Sequence, residues 1–279
     1  MFHIIDSERD LKILDKELML SNHLAVDTEF NRKGKEEIEL CLIQVNNSEE
    51  TFLIDCILLG EYKNNCKFLF SKDVKKIFHS FREDVEAIYS WTQSKLENVF
   101  DSQVANSFLG GSFSIGYQNL VLKKFGVSID KDETRSNWKR RPLSSSQLKY
   151  AASDVEFLIE IFNDQKRELI QSSKISWFED EINFSLEKIF SNEETSMMLK
   201  TGLSKSEESN LLNNFNNLVN SVSETKELNA TMLFSKKNQR EFLRSCFFNG
   251  FSSALKRIPN WKKDILLDDL YILFKDCPE

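Results

Sequence analysis

The chain has 279 residues, 41% of them hydrophobic and 23 of them Phe, enough for two compact units, and its net charge of −7 excludes a uniformly basic surface. No apolar run approaches the ~18 residues of a membrane-spanning helix, and the opening MFHIIDSERD lacks the basic-then-apolar pattern of an export signal. Five cysteines (41, 56, 66, 246, 277) form no C-x-x-C pair and leave an odd one, so buried thiols in a reducing cytoplasm are expected rather than a disulfide framework.

Along the chain, segments 24–30, 39–46 and 51–56 are strand-like and closely spaced, which predicts an antiparallel meander. Leu24, Ala25 and Val26 read as a buried strand, and Asp27 and Glu29, two apart, project from one face where it ends. Segments 76–79 and 98–101 read as short strands separated by helical stretches, hence parallel additions to the sheet. Ile77-Phe78-His79 form an apolar-to-polar edge, and Asp84 follows in the first turn of a helix over VEAIYSW. GGSFSIG (110–116) lacks the spacing of a phosphate-cradling loop and is a connector to the helix YQNLVLKKF; Phe113 is its candidate for stacking on a base.

The next helix has a legible start. Ser144 is an N-cap, Gln147 stands at capping-box spacing, and Leu143 and Leu148 occupy staple positions after Pro142. From Gln147 an apolar stripe runs through Leu148, Ala151, Ala152, Val155, Leu158, Ile159 and Phe162, predicting one helix to that point. Tyr150 and Asp154, four apart, share its flank. After about residue 172 strand signals cease. SWFEDEINFSLEKIF is amphipathic, EETSMMLKTGLSKSEES is polar and reads as a connection, and NLLNNFNNLVNSV, KKNQREFLRSCFFNGF and KKDILLDDLYILF are further helices.

Positive charge is concentrated in two places. Residues 123–149 carry eight Lys/Arg against three acids, and residues 235–263 carry eight against Glu241 alone. Each stretch is either a solvated face or a contact for phosphates, the second being the stronger reading for KRRP beside the helix of Tyr150.

Taken singly, each acidic signal has an ordinary explanation: a strand-end turn former, a first-turn helix acid, a surface i, i+4 pair. Together they place four carboxylates, Asp27, Glu29, Asp84 and Asp154, on three separated segments with Tyr150 beside them. Carboxylates so gathered repel one another unless cations sit between them, and hard divalent ions with oxygen ligands are the natural occupants. Two such ions clamp the attacking and leaving oxygens of an in-line phosphoryl displacement.

AVDTEF, LCLIQV, KIFHSFREDVEAI, FDSQVA and TRSNWKRRPLSSSQLKYAASDVEFL, in this order over residues 1 to about 170, closely resemble the ribonuclease D family, the tyrosine branch of the DEDD 3′→5′ exonucleases. The resemblance implies an α/β ribonuclease H-like exonuclease domain at 1–172, a mixed sheet flanked by helices. It implies two Mg²⁺ or Mn²⁺ ions and trimming of RNA 3′ ends, tRNA precursors included, with release of nucleoside 5′-monophosphates. By position Asp27 would bridge both ions, Glu29 and Asp154 would complete the first ion's shell, Asp84 would support the second, and Tyr150 would orient the attacking water. Thr28, Phe30, His79, Arg135, Arg140 and Arg141 would contact the nucleic acid. No histidine lies near Tyr150, which separates the chain from the histidine branch.

LNATMLFSKKNQREFL with ALKRIPNWKKDILLDDLYILF resembles the end of an HRDC module, so 173–279 is expected to be all-α, with one degenerate HRDC-like module at about 200–279 or a helical cap that only packs. Two positions depart from the pattern: Glu36, Glu37 and Ile38 stand where a tyrosine-proline edge is usual, and Asn137 replaces an acid before Trp138. A DNA 3′→5′ exonuclease shares the same metal site, and a catalytically silent nucleic-acid-binding scaffold is the rival of another class. No membrane contact and no obligate protein partner are expected.

Overall fold

The alternation of apolar residues in the first hundred positions builds a six-stranded sheet. In this computed structural model, which describes residues 2–34, 37–130, 133–191 and 201–277, the strands are β1 (Phe2–Ile5), β2 (His23–Lys33), β3 (Glu37–Asn46), β4 (Thr51–Asp55), β5 (Lys75–Phe78) and β6 (Val99–Asp101). Their order is β1-β4-β3-β2-β5-β6. The meander β2-β3-β4 is antiparallel, and β5 and β6 add in parallel, as the spacing predicts. FHII, which has no clear alternation, nevertheless forms β1, parallel to β4 at the sheet edge.

Helix α1 (Glu8–Leu18) follows β1, capped by the Ser7 hydroxyl. A short α2 (Cys56–Leu59) leaves β4 with Asp55 as its N-cap, and α3 (Arg82–Thr92) connects β5 to β6. Then come α4 (Ser102–Phe108), α5 (Tyr117–Phe125), α6 (Ser145–Ser153) and α7 (Leu158–Gln171). The capping box of α6 is present in full: Ser144 Oγ accepts from the Gln147 N–H at 3.1 Å, and Gln147 Oε1 accepts from the Ser144 N–H at 3.0 Å. Leu143 and Leu148 pack on one cluster of Cys41, Leu42, Leu53, Trp138 and Ala151.

The single helix expected from Gln147 to Phe162 is instead two. The ladder opens between Ser153 and Leu158 because the Tyr117 hydroxyl stands in it, accepting from the Phe157 N–H at 3.0 Å and donating to the Ser153 carbonyl at 3.2 Å. A side chain inserted between residues i and i−4 is one of the few causes of a sharp helix break. The apolar stripe is unaffected, since Ala151, Val155, Leu158, Ile159 and Phe162 are all buried.

The chain divides into two compact units, one of residues 1–103 and 115–167, the other of 104–114 and 168–279. The division at 167, rather than 172, and the assignment of 104–114 to the second unit have a local reason. The Phe108 ring packs edge-on against Phe178 and Trp261, and Asn229 Nδ2 donates to the Gly111 carbonyl at 3.0 Å. Gly111 leaves room there for the Asn106 side chain, which a Cβ would run into.

The second unit contains α8 (Ile175–Phe190), α9 (Lys205–Thr225), α10 (Ala230–Phe234), α11 (Lys236–Asn249), α12 (Phe251–Leu255) and α13 (Asn260–Leu273). Helix α9 begins with a second capping box, Ser204 with Glu207, so it starts inside the stretch expected to be a connection. Residues 193–200 of that stretch, like Glu36 and Lys131, lie outside the described residues. Phe215, Phe234, Phe242 and Phe274 form a cluster of mutually tilted and edge-on rings at the core of this unit. All five cysteines are free, and four of them are buried. Among the described residues no helix is long and apolar enough to cross a membrane.

Candidate active site

Strand β2 is paired antiparallel with β3 on one side and parallel with β5 on the other, and the unequal length of the two pairings makes the site. It runs with β3 over nearly its whole length, but β5 covers it only from His23 to Ala25. Beyond Ala25 the β5 side of the strand is open, a crevice at the carboxyl end of a parallel pair where α/β sheets place ligands. Asp27 and Glu29 stand along that open stretch. A register shift between Glu29 and Phe30 bends the strand immediately after them, the kind of bulge that re-aims side chains beside active sites.

Helix α3 brings Asp84 to the same place. Its start is fixed by the Phe81 N–H, which donates to Asp101 Oδ2 at 2.6 Å at the end of β6. Asp84 is buried and accepts the Thr28 hydroxyl at 2.5 Å. Helix α6 brings the rest. Asp154 is its C-cap residue, and the Tyr150 ring rests against the buried Trp138 ring with centroids 6.1 Å apart. The Tyr150 hydroxyl lies 3.2 Å from Thr134 Oγ1.

One oxygen from each of Asp27, Glu29 and Asp154 lies within 4.8 Å of the others. Burial, and then the charges of Asp84, Asp154 and Glu29, hold the Asp27 carboxyl well above the usual carboxylate range. Burial and its acidic neighbours push Glu29 up to about 9, and burial raises Asp84 and Asp154 as well. The influences that lower these values are hydrogen bonds; no cation is among them. Asp154 Oδ1 is buried and has no hydrogen-bond partner. A buried carboxylate oxygen without a donor is costly, and an all-oxygen donor set with excess negative charge matches a hard divalent cation. These residues fit such an ion, with Asp27, Glu29 and Asp154 as the group that would hold it.

The residues expected at nucleic acid divide. Arg135 and Arg140 are exposed, and Phe30 is half-buried beneath the Arg32 guanidinium at 5.8 Å. Three others are committed within the protein. Arg141 gives Nε and Nη2 to Asp55 at 2.5 and 2.8 Å, and its remaining N–H groups to the carbonyls of Cys41, Trp138 and Arg140. A guanidinium has five donors, so none is left for a phosphate. Thr28 spends its hydroxyl on Asp84. His79 engages the Ile115 carbonyl through Nε2 and Ser102 Oγ through Nδ1, both at 2.8 Å, which ties down the loop before α5. All three therefore hold the site's frame. In the second basic stretch Lys262 is likewise buried, 3.7 Å from Glu181.

Two residues of the site carry no sequence signal that would assign them a role. Asp101 lies in FDSQVA and anchors the start of α3. Tyr117 lies in an ordinary helix start and opens the helix beside Asp154.

Residues 2–170 match the 3′-5′ exonuclease family. Ribonuclease D of Bartonella henselae is 35% identical over 188 residues, 67% of this chain and 46% of that protein, so the chain spans about half the length of the curated relatives it matches. The solved structure of Escherichia coli RNase D, described as an exoribonuclease involved in structured RNA processing, superposes with a TM-score of 0.67 at 21% identity, over 99% of this chain and 75% of that one. Brucella melitensis NrnC with bound Mg²⁺ superposes with a TM-score of 0.58 at 22% identity, over 67% of this chain and 90% of that one. At those identities the two structures establish the fold.

Proposed function

This chain belongs to the 3′-5′ exonuclease family, and we propose that it removes nucleotides from RNA 3′ ends by hydrolysis that depends on two Mg²⁺ or Mn²⁺ ions. The observation that carries the reading is the cluster of Asp27, Glu29 and Asp154, with its buried oxygen that has no hydrogen-bond partner among the described residues. Asp27, Glu29 and Asp154 would hold one ion, and Asp84, steadied by Thr28, would support the second. When bound, such ions polarise the scissile phosphate and neutralise charge that develops in the displacement.

The chain's own residues do the positioning. Burial and the Asp154 charge push the Tyr150 phenol above its ordinary value, so at neutral pH it keeps its proton and acts as a hydrogen-bonding group, not a base. It is suited to hold a water in line with the terminal phosphorus. The water oxygen loses a proton to solvent and bonds to phosphorus, and the bond to the ribose 3′ oxygen breaks. That oxygen takes up a proton from solvent to become the new 3′ hydroxyl of the RNA, and a nucleoside 5′-monophosphate leaves. Arg135 and Arg140, exposed beside α6, are suited to phosphates of the strand. Structured RNAs such as tRNA precursors are the proposed substrates, in line with the RNA substrates in the names of the similar proteins. The helices from α9 to α13 are read as one HRDC-like module.

The test is a 3′-end assay on matched RNA and DNA oligomers with Mg²⁺ or Mn²⁺, products resolved by size. RNA should shorten one nucleotide at a time from its 3′ end, with none lost in chelator. Equal degradation of both strands would move the assignment to a DNA exonuclease, and hydrolysis of neither would leave the scaffold reading. In the same assay Tyr150→Phe should lose about a hundredfold in kcat through misplacement of the water, with KM for RNA little changed.

A further inference from the structure

A continuous helix would close the rung between the Phe157 N–H and the Ser153 carbonyl directly. Here the Tyr117 hydroxyl occupies that rung and satisfies both groups, at 3.0 and 3.2 Å. The two backbone groups it holds apart flank Asp154, which sits at the break with its N–H still bonded to the Tyr150 carbonyl at 3.2 Å. Asp154 therefore belongs to α6 by its backbone, with helical φ −71° and ψ −13°, and the break after it sets how α6, with this carboxylate at its end, lies against α7. That carboxylate has a buried oxygen without a protein donor and lies within ligand distance of Asp27 and Glu29.

The hydroxyl is itself held in place. Tyr117 is buried, its ring lies 5.8 Å from the His79 ring at 59°, and His79 bonds the Ile115 carbonyl two residues before it. Burial above all raises the Tyr117 phenol, and its bond to the carbonyl of Ser153, the residue before Asp154, puts the hydroxyl beside the cluster.

We propose that Tyr117 is a positioning residue for the hydrolytic site: its hydroxyl, wedged between Ser153 and Phe157, sets the helix break that presents the Asp154 carboxylate to Asp27 and Glu29. The proposal rests on reading that cluster as a cation site. Without the hydroxyl the Phe157 N–H loses its acceptor, and the nearest replacement is a direct hydrogen bond of about 2.9–3.0 Å to the Ser153 carbonyl, which now also accepts from the Glu156 N–H at 3.3 Å. That bond draws α6 and α7 into one continuous helix and shifts the end of α6, with Asp154, away from Asp27 and Glu29.

Tyr117→Phe tests this, because it keeps the ring and its packing and removes one oxygen. Mn²⁺ uptake is measured without substrate by the electron paramagnetic resonance of the free ion, alongside kcat and KM on an RNA oligomer. Mn²⁺ should bind at least about tenfold more weakly, with kcat down by a similar factor or more, the usual range for residues that orient a metal ligand. KM for RNA should stay within about twofold. Mn²⁺ affinity and kcat near wild type, even with a lowered melting temperature, would reduce Tyr117 to a packing residue and overturn the proposal. Wild-type protein and Asp154→Asn run beside it separate the two readings. A wild type that takes up no Mn²⁺ overturns the cation site and this inference with it, whereas a binding wild type beside an unchanged Tyr117→Phe overturns this inference alone. Amide exchange of the wild type is a second test that does not depend on the variant's folding: Phe157 should be protected like Ile161, and free exchange there would mean the hydroxyl is not in the ladder.

Discussion

In the helical unit, buried cations have their needs met by the protein. Lys262 lies 3.7 Å from Glu181 and over the Trp261 and Phe234 rings, at 5.2 and 5.4 Å, and Lys174 donates to the carbonyls of Phe108 and Glu227 at 3.1 and 2.7 Å. In the nuclease unit, Asp27, Glu29, Asp84 and Asp154 are gathered with like charges and one another's repulsion. The same unit can pair a buried charge when the task is structural, as the forked contact of Arg141 on Asp55 demonstrates. A paired buried charge holds the fold's shape, and an unpaired like-charge cluster costs stability that protons or a bound cation recover. The contrast therefore separates residues kept for architecture from residues kept for chemistry.

Substituting Asp154 is the strongest attempt to break this contrast. Asp154→Ala should lower hydrolysis by roughly three orders of magnitude or more, since an ion supplies several kcal/mol to the transition state and each 1.36 kcal/mol is tenfold. In chelator the same variant should melt at a higher temperature than wild type, because one member of a repelling set is gone. Lys262→Ala should do the reverse, lowering stability and leaving the nuclease's kcat alone. Rates and melting curves of the two variants decide it; an Asp154→Ala protein with a tenth of wild-type activity would remove the carboxylate from the site.

The neighbouring arginines sharpen it next. Arg141→Ala leaves the buried Asp55 carboxylate unpaired, and breaking such a pair costs about 3–5 kcal/mol. Arg140→Ala should change stability by no more than about 0.5 kcal/mol, yet raise KM for RNA and flatten its salt dependence by one phosphate contact. Urea denaturation and KM at several salt concentrations measure both. Two adjacent arginines with equal effects on stability would mean that the fork on Asp55 carries no weight.

What could be read from the chain, and what could not, follows the range of each interaction. The meander, the shared face of Asp27 and Glu29, and the Ser144–Gln147 box rest on neighbours two to four residues apart, and the sequence displays them. The strand runs on to Lys33 rather than ending at the two acids as expected, and what opens it there is the end of β5 pairing at Ala25. Arg141 is indistinguishable from Arg140 in KRRP, because what distinguishes it is Asp55, 86 residues earlier. Thr28 likewise owes its role to Asp84, 56 residues on. The continuous stripe from Gln147 to Phe162 is genuine amphipathicity, yet periodicity has no term for a tyrosine 36 residues upstream that opens the ladder. Strand β1 escapes for a related reason: FHII is short and gains its pairing only from β4.

The smallest effect reports the contrast most directly, through the pH dependence of stability in chelator. Glu29 titrates from an ordinary 4.5 in the unfolded chain to about 9 when folded, and Asp154 from 3.8 to about 6. Between those limits the folded protein holds protons that the unfolded chain has released, so stability must fall as pH rises through the window and is fully present only below it. Lys262, whose burial lowers its value from 10.5, has the opposite sign, since there the unfolded chain holds the proton and stability rises with pH. Metal-free melting temperatures of the nuclease unit should therefore decline from pH ~5 to ~9. Saturating Mg²⁺ or Mn²⁺ should flatten that decline, because ions then take the protons' place, and protons should be released as they bind. The double variant Asp27→Asn with Glu29→Gln should keep, without any metal, only the part of the decline that the buried Asp84 and Asp154 contribute. A wild-type melting temperature in chelator that does not change across this range would mean that neither burial nor mutual repulsion raises the four carboxylates, and the distinction drawn between the two units would fail at its source.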